Sequence, residues 1–449
     1  MKKVLLIQPP VEDLYTTSIR LYPLGLAFVA KVFEHHGWKV EILDCLSPLR
    51  ETGIALPEKF SYLQPYLENP YFFRQYRRFG LPLEKILIKV KELSPDLIGI
   101  NSSFAAYYRS VDILAKALKA NFSIPIIIGG NQATCATEEI KARTPEIDEV
   151  ISGQAEMSLP IYLRENFAEK SSPRIKTPEQ SFIDWKAVRP AHYLLKPEFY
   201  QIGKKNYVSL QASRGCPHNC SFCNVHLVFG RKIDYRPVNS LIEEMRWLCG
   251  HRQVGIFNFE DDNLSYDREW FEGFLKAVGN DQMLRGTELT FMNGLSYENL
   301  DEELLRLMKR AGVRKLDLSW VSGNPALRKK YHRPQKKEES EFLEVLKTAR
   351  KLGFFVTVYL ILGLPGQTRE EIIETTERLL SLDVLVGPSV FYLTPGSDLY
   401  HSMNLPAELK NDWDMYRTTA FAVETEHLTQ QNLIELFLYI RKRNLEKRT

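Results

Sequence analysis

Short apolar runs alternate with helix-length amphipathic segments along most of this 449-residue chain, in two successive series. Strands separated by helices of ordinary length pair in parallel, because only a crossover of a dozen or more residues returns the chain to the same sheet edge. In the first third, Val4–Ile7 is followed by a helical pattern over Pro23–His36 and then by Lys39–Leu43. After an insertion the series resumes as helix Leu83–Leu93, strand Asp96–Ile100, helix Tyr107–Ala120, strand Ile124–Ile128, helix Thr134–Ala142 and strand Glu149–Ile151. This order predicts an α/β fold whose residues 1–165 form a doubly wound, Rossmann-like parallel sheet. Its ligand site should lie at the strand carboxyl ends.

Periodicity breaks over 166–200, where prolines such as Pro178 and Pro190 are scattered, so this stretch reads as a linker. Alternation returns from residue 201, with strands at Tyr207–Gln211, Val254–Phe259, Glu288–Phe291, Lys315–Ser319, Phe354–Leu360 and Ser389–Leu393. These six βα repeats occupy 201–400. Residues 401–449 read as a short helical region in which the amphipathic helix Leu428–Arg443 closes the second domain. Charged residues make up 26% and the net charge is +3, too mild for nucleic acid or an anionic membrane as main partner. The apolar run after Lys3 is four residues long and soon meets Pro9-Pro10, which fails as a signal peptide. No stretch reaches the roughly 18 apolar residues of a membrane span.

Cys216, Cys220 and Cys223 stand in a C-x3-C-x2-C spacing just after the first strand of the second series. Three thiolates on one loop hold a metal centre, and a [4Fe–4S] cluster given three ligands keeps one iron open to a small molecule. Three unrelated buried cysteines, or a zinc site short of a ligand, are the competing readings. The Gly-Cys-Pro opening, the spacing and the preceding strand together weigh against both. The other cysteines, Cys45, Cys135 and Cys249, are scattered, which does not resemble a disulfide framework and points to a reducing cytoplasm.

With Phe222 before its last cysteine, this segment resembles the radical S-adenosylmethionine (SAM) superfamily. The resemblance implies a partial (β/α)6 barrel with a [4Fe–4S] cluster on Cys216, Cys220 and Cys223, and SAM held at the strand ends. In Phe259-Glu-Asp-Asp-Asn263, Asp261 or Asp262 would accept from the SAM ammonium while Glu260 faces away; an acidic helix N-terminus is the plainer reading. Ser319 would meet the ribose and Arg333 the SAM carboxylate. Gly363 and Pro365, in Leu360-Ile-Leu-Gly-Leu-Pro-Gly366, would offer main-chain groups to the adenine, with Phe222 and Tyr392 completing the bed.

The strand-end loops of the first domain are rich in small residues: Gln8–Pro10, Asn101–Phe104 with Ser102 and Ser103, Gly129-Gly130-Asn131-Gln-Ala133, and Gly153-Gln-Ala-Glu156. A glycine pair after a strand is usually only a turn. Together with the helix start Pro23-Leu-Gly25-Leu26, these loops resemble the cobalamin-binding domain that precedes the barrel in one radical SAM subgroup. The resemblance implies cobalamin contacts at Pro10, Gly25, Ser102, Ser103, Gly129, Gly130, Asn131, Ala133, Gly153 and Glu156. The Asp-x-His-x-x-Gly motif of many other cobalamin domains is missing after the first strand, so cobalt would take no histidine from that loop.

The insertion Glu51–Gly80, dense in aromatic and basic residues, admits two readings, a lid over the substrate or a packing arm over the sheet edge. By resemblance the chain is an enzyme, a cobalamin-dependent C-methyltransferase. SAM would yield a 5′-deoxyadenosyl radical that takes hydrogen from an unactivated carbon, and methylcobalamin would give the methyl group. A cyclisation, rearrangement or oxidation with the same cofactors is the alternative, as is a radical SAM enzyme whose first domain only binds a partner. The expected partners are a substrate (small molecule, lipid or peptide) and an electron donor such as flavodoxin or ferredoxin, with no nucleic acid. No catalytic histidine is required, and His218 and His226 support the loop.

Overall fold

The computed structural model describes residues 1–15, 22–48, 50–167, 182–334 and 337–447. The first sheet has the strands Lys3–Gln8 (β1), Lys39–Asp44 (β2), Leu97–Asn101 (β3), Ile126–Gly129 (β4) and Glu149–Ile151 (β5), in the order β2-β1-β3-β4-β5. All neighbours are parallel. The order reverses between β1 and β3, and a ligand crevice opens at such a switch point. Val4 and Leu6 face one apolar layer and Leu5 and Ile7 the other, so β1 is buried on both sides, as its unbroken apolar run requires. The helix expected over Thr134–Ala142 is two, Asn131–Cys135 and Thr137–Arg143, because Ala136 leaves helical geometry at φ −139°.

The second domain has six strands in parallel succession, Lys205–Leu210 (β6), Val254–Phe259 (β7), Glu288–Thr290 (β8), Lys315–Val321 (β9), Phe355–Leu362 (β10) and Leu385–Val390 (β11). Ladders join β6 to β7, β7 to β8, β9 to β10 and β10 to β11. Between β8 and β9 two parallel bridges, Leu289 with Val313 and Leu295 with Leu318, carry the sheet across. The sixth strand starts four residues before the expected Ser389 and stops before Phe391. Gly387 and Pro388 read as strand breakers, yet an edge strand tolerates a proline that has no N–H to donate.

The second half of the expected linker is packed. Trp185, Ala191, His192, Leu195 and Tyr200 are buried, and Ala191 N–H donates to the Ala27 carbonyl of the first domain at 2.9 Å. Residues 168–181, with Pro178, lie outside the described residues.

The insertion is a packing arm. Its strands Glu51–Gly53 and Arg77–Phe79 join Val11–Asp13 in a small antiparallel sheet. Phe60, Phe72, Phe73 and Tyr76 are buried, with Phe72 5.6 Å from Phe421 and Phe73 5.4 Å from Phe437, centroid to centroid. Phe437 belongs to the closing helix Gln430–Glu446, which buries Leu433, Ile434, Leu436 and Ile440. No helix of the described residues is long and apolar enough to cross a membrane.

Candidate active site at the domain interface

Gly215 turns the chain into the cysteine loop at φ +91°, and a Cβ there would lie 2.3 Å from the Lys232 carbonyl oxygen. We expect Gly215→Ala to leave the fold intact and to lower iron retention several-fold, measured as iron per chain after anaerobic reconstitution, since the loop must shift to admit the methyl group. Inside the loop Cys223 N–H donates to the Cys220 carbonyl at 3.0 Å and Ser221 N–H to the Tyr331 carbonyl at 3.2 Å. Asn263 Nδ2 lies 3.9 Å from Cys216 Sγ. Burial pushes the Cys216 and Cys223 thiols up, Cys223 to about 11, and neighbouring cysteines push the same way. All six cysteines are free.

Beyond β7, Asp261 does not face the open site. Its buried carboxylate accepts from Ser213 Oγ at 2.6 Å, from the Ala212 N–H at 3.1 Å and from the Ser213 N–H, fastening the strand-like pair Ser213–Arg214 that leads into the loop. Burial outweighs these bonds and lifts it to about 7. Glu260, expected to face away, lines the cavity instead, with Ser209 Oγ and Asn293 Nδ2 each donating to it at 3.0 Å. Asp262 also lines the cavity, raised to about 6 by the protein around it and held down by a Gly215 N–H.

The other strand ends depart further from expectation. Gly363 and Leu364 N–H both donate to Gln367 Oε1, at 2.8 and 2.9 Å, and the Pro365 carbonyl accepts from Lys330 Nζ at 3.2 Å and from the Tyr331 hydroxyl. The main-chain groups offered to an adenine therefore already have protein partners, Gln367 within the turn and Lys330 and Tyr331 from the segment packed against it. Ser319 and Arg333 come together, Nη2 of Arg333 donating to the Ser319 carbonyl at 2.9 Å, while Arg333 Nε is buried without a protein partner. Phe222 packs on the apolar cluster of Leu364, Phe391 and Leu393 that runs into the first domain. Tyr392 stands beside Cys223, and the surrounding protein pushes its phenol up.

A cavity of about 430 Å³ lies between the strand ends of the two domains. From the first domain it takes Gly25, Ser103, Gly129, Gly130, Asn131, Gly153 and Glu156 of the expected residues, over a floor that includes Leu6, Ile100, Ile127 and Ile151. Pro10, Ser102 and Ala133 do not line it: Pro10 packs under Gly80 at the end of the insertion, and Ser102 and Ala133 are buried behind the Gly130 turn. From the second domain come Gln211, Arg214, Val228, Phe229, Glu260, Asp262 and Asn293.

Two family models divide along this line. The B12 binding domain matches residues 16–163 and the radical SAM superfamily matches 210–379. The chain is a radical SAM protein with a B12 binding domain. An uncharacterized methyltransferase of Pyrococcus horikoshii is 24% identical, the match covering 97% of this chain and 90% of that protein. Cytidylyl-2-hydroxyethylphosphonate methyltransferase of Streptomyces wedmorensis is 26% identical over 81% of this chain and 73% of its own. Among solved structures, the radical SAM methyltransferase TsrM from Kitasatospora setae, with cobalamin and a [4Fe–4S] cluster bound, shares the fold. Its TM-score is 0.67 at 14% identity, covering 98% of this chain and 91% of that one.

The residues present fit the groups these two domains are named for. A radical SAM loop needs soft donors, and it has three free sulfurs in one eight-residue loop. In the B12 binding domain, side-chain atoms built on Gly25 or Gly153 would meet nothing within 4 Å, so the backbone leaves room for a broad ligand. Ser102 Oγ and Gln132 Nε2 are buried without protein partners behind Gly130, outside the cavity lining. No histidine lines the cavity. Sequence reading placed Asn101, Phe104 and Gln154 in the strand-end loops without assigning them as contacts, and it missed Arg214 on the cavity wall. The strand-end position of Asn101 and Phe104 was the available signal, whereas nothing local marks Arg214.

Proposed function

We propose that this chain is a cobalamin-dependent radical SAM C-methyltransferase, which methylates an unactivated carbon of its substrate. The observation that carries the reading is a cavity shared by the strand ends of the B12 binding domain and by the residues that lead into the cysteine loop. When bound, the cluster and SAM supply one-electron chemistry and hydrogen abstraction, and methylcobalamin supplies the methyl group. Cys216, Cys220 and Cys223 would hold the cluster, while Glu260 and Asp262, the second-domain carboxylates that line the cavity, would accept from the SAM ammonium in place of Asp261. Ser319 and Arg333 would orient the rest of SAM at the end of β9. Gly25, Gly129, Gly130 and Gly153 would let a corrin approach the backbone, and Leu6, Ile100, Ile127 and Ile151 would exclude water from that side of the cavity. The methyltransferase relatives, which match over 97% and 81% of this chain, support transfer of a methyl group. An electron donor such as flavodoxin or ferredoxin reduces the cluster, and the free cysteines suit a reducing cytoplasm.

The test is anaerobic purification followed by incubation of cell extract with methyl-labelled SAM. Copurified or rebound corrinoid, 5′-deoxyadenosine and a labelled product are expected together. Protein that retains no corrinoid defeats the reading, and corrinoid with an unlabelled, altered product replaces methylation by cyclisation or oxidation.

A further inference from the structure

Arg214 and Glu156 form an ion pair across the domain boundary, each only 4% exposed. Nη2 of Arg214 donates to Glu156 Oε1 at 2.8 Å and Nη1 to Oε2 at 3.1 Å, a fork that fixes both position and angle. Nη1 also donates to Gln154 Oε1 and Nε to Gln211 Oε1, both at 2.9 Å. The guanidinium carbon lies 4.4 Å from the Trp185 ring centre and 5.0 Å from that of Phe28. One side chain thus grips the loop after β5, the end of β6, the connector and the first helix.

Both partners line the shared cavity, on either side of the place where the two cofactor sites meet. Glu156 lies in the first turn of the helix Ala155–Phe167, after Gly153, where a corrin has room to rest. Arg214 is followed directly by Gly215, at φ +91°, and by Cys216. With water excluded, neither charge tolerates misalignment, so a shift of the 153–156 loop carries the start of the cysteine loop with it.

Resting on the two-cofactor reading above, we propose that the Arg214–Glu156 pair couples the corrinoid pocket to the cluster loop, so that each cofactor binds more tightly when the other is present. The cofactor that arrives first orders both loops, and the second then meets a site already in place. Such coupling is reciprocal by thermodynamic necessity. Arg214 and Glu156 act here as positioning residues.

The experiment is an absorbance titration of the full chain with hydroxocobalamin, in cluster-loaded and cluster-free form. Cluster-loaded wild type is expected to bind at least about fivefold more tightly than the cluster-free form. The paired replacement Arg214→Met with Glu156→Leu leaves no uncompensated charge buried, and its ratio should fall to about one. Arg214→Lys, which keeps the charge and loses the fork, should give a ratio clearly below that of the wild type and serves where the paired variant does not fold. A wild-type ratio of one, or variants that keep the wild-type ratio, overturns the coupling while the two-cofactor reading stands. Wild type that takes up no corrinoid in either form overturns that reading itself.

Discussion

Alanine at Cys216, Cys220 or Cys223 is expected to abolish both the cluster and 5′-deoxyadenosine formation, whereas alanine at Cys45, Cys135 or Cys249 leaves iron and sulfide content at the wild-type level. The difference follows from how each sulfur is held. The first three share one eight-residue loop beside the cavity, and a cluster with two protein ligands has lost half of the four it normally takes. Cys45 is 1% exposed in the apolar core of the first domain, and the Cys249 thiol faces the Val254 carbonyl at 3.6 Å. Cys135 is the informative control, because Asn224 Nδ2, next to Cys223, lies 3.2 Å from its sulfur. Iron and sulfide analysis with low-temperature electron paramagnetic resonance after anaerobic reconstitution checks the set. Iron lost from any of the second three would show the ligand assignment to be wrong.

The strand series was readable because it rests on local chemistry. A buried parallel strand must be apolar over four or more residues, and β1, β3 and β7 came within one or two residues of expectation. Register, order and partners across the chain are not local. Glu156 and Arg214 are 58 residues apart and His192 and Glu244 are 52 apart, so neither buried pair has a signature at either end. Aromatic density in the insertion signals burial without saying against what, and only the fold brings Phe73 to Phe437. The acidic segment shows a finer limit. Strand alternation puts Glu260 and Asp262 together and Asp261 opposite, but which pair faces the site depends on Asp261 turning back onto Ala212 and Ser213. The Gly363 turn held a legible clue in Gln367, four residues on, whose amide satisfies the backbone that seemed free.

The connector that the sequence marks only as a break anchors the other large effect. Glu244→Leu is expected to destabilise the protein by about 3–5 kcal/mol, the loss typical of breaking a buried charge pair. The Glu244 carboxylate, 1% exposed, accepts from Arg236 Nη2 at 2.6 Å and from His192 Nε2 at 3.0 Å, and Tyr22 Oη lies 2.6 Å from His192 Nδ1. The groups satisfy one another in a chain: the Tyr22 hydroxyl pairs with His192 Nδ1, His192 Nε2–H donates to the carboxylate, and Arg236 balances the charge of Glu244. Burial keeps the Tyr22 phenol protonated, as that arrangement requires. Leucine would leave the Arg236 guanidinium, itself 1% exposed, without its counter-charge, and His192 without its acceptor. Glutamine would not rescue it, because the amide nitrogen would face a donor on one of its two sides. Although desolvation opposes it, His192 and Arg236 hold Glu244 below the usual carboxylate range. A depressed carboxylate contributes stability that is complete above its unfolded pKa and lost as pH falls through the folded one. Wild type should therefore lose this increment only in acid, so the gap between wild type and Glu244→Leu should be full at neutral pH and narrow below about pH 4. Denaturant unfolding of both proteins at neutral and acid pH measures this, and a gap that does not depend on pH would mean that packing rather than charge holds the connector. Tyr22 lines the cavity and His192 joins the connector to the barrel helix Val238–Arg252, so the same variant should also loosen corrinoid binding.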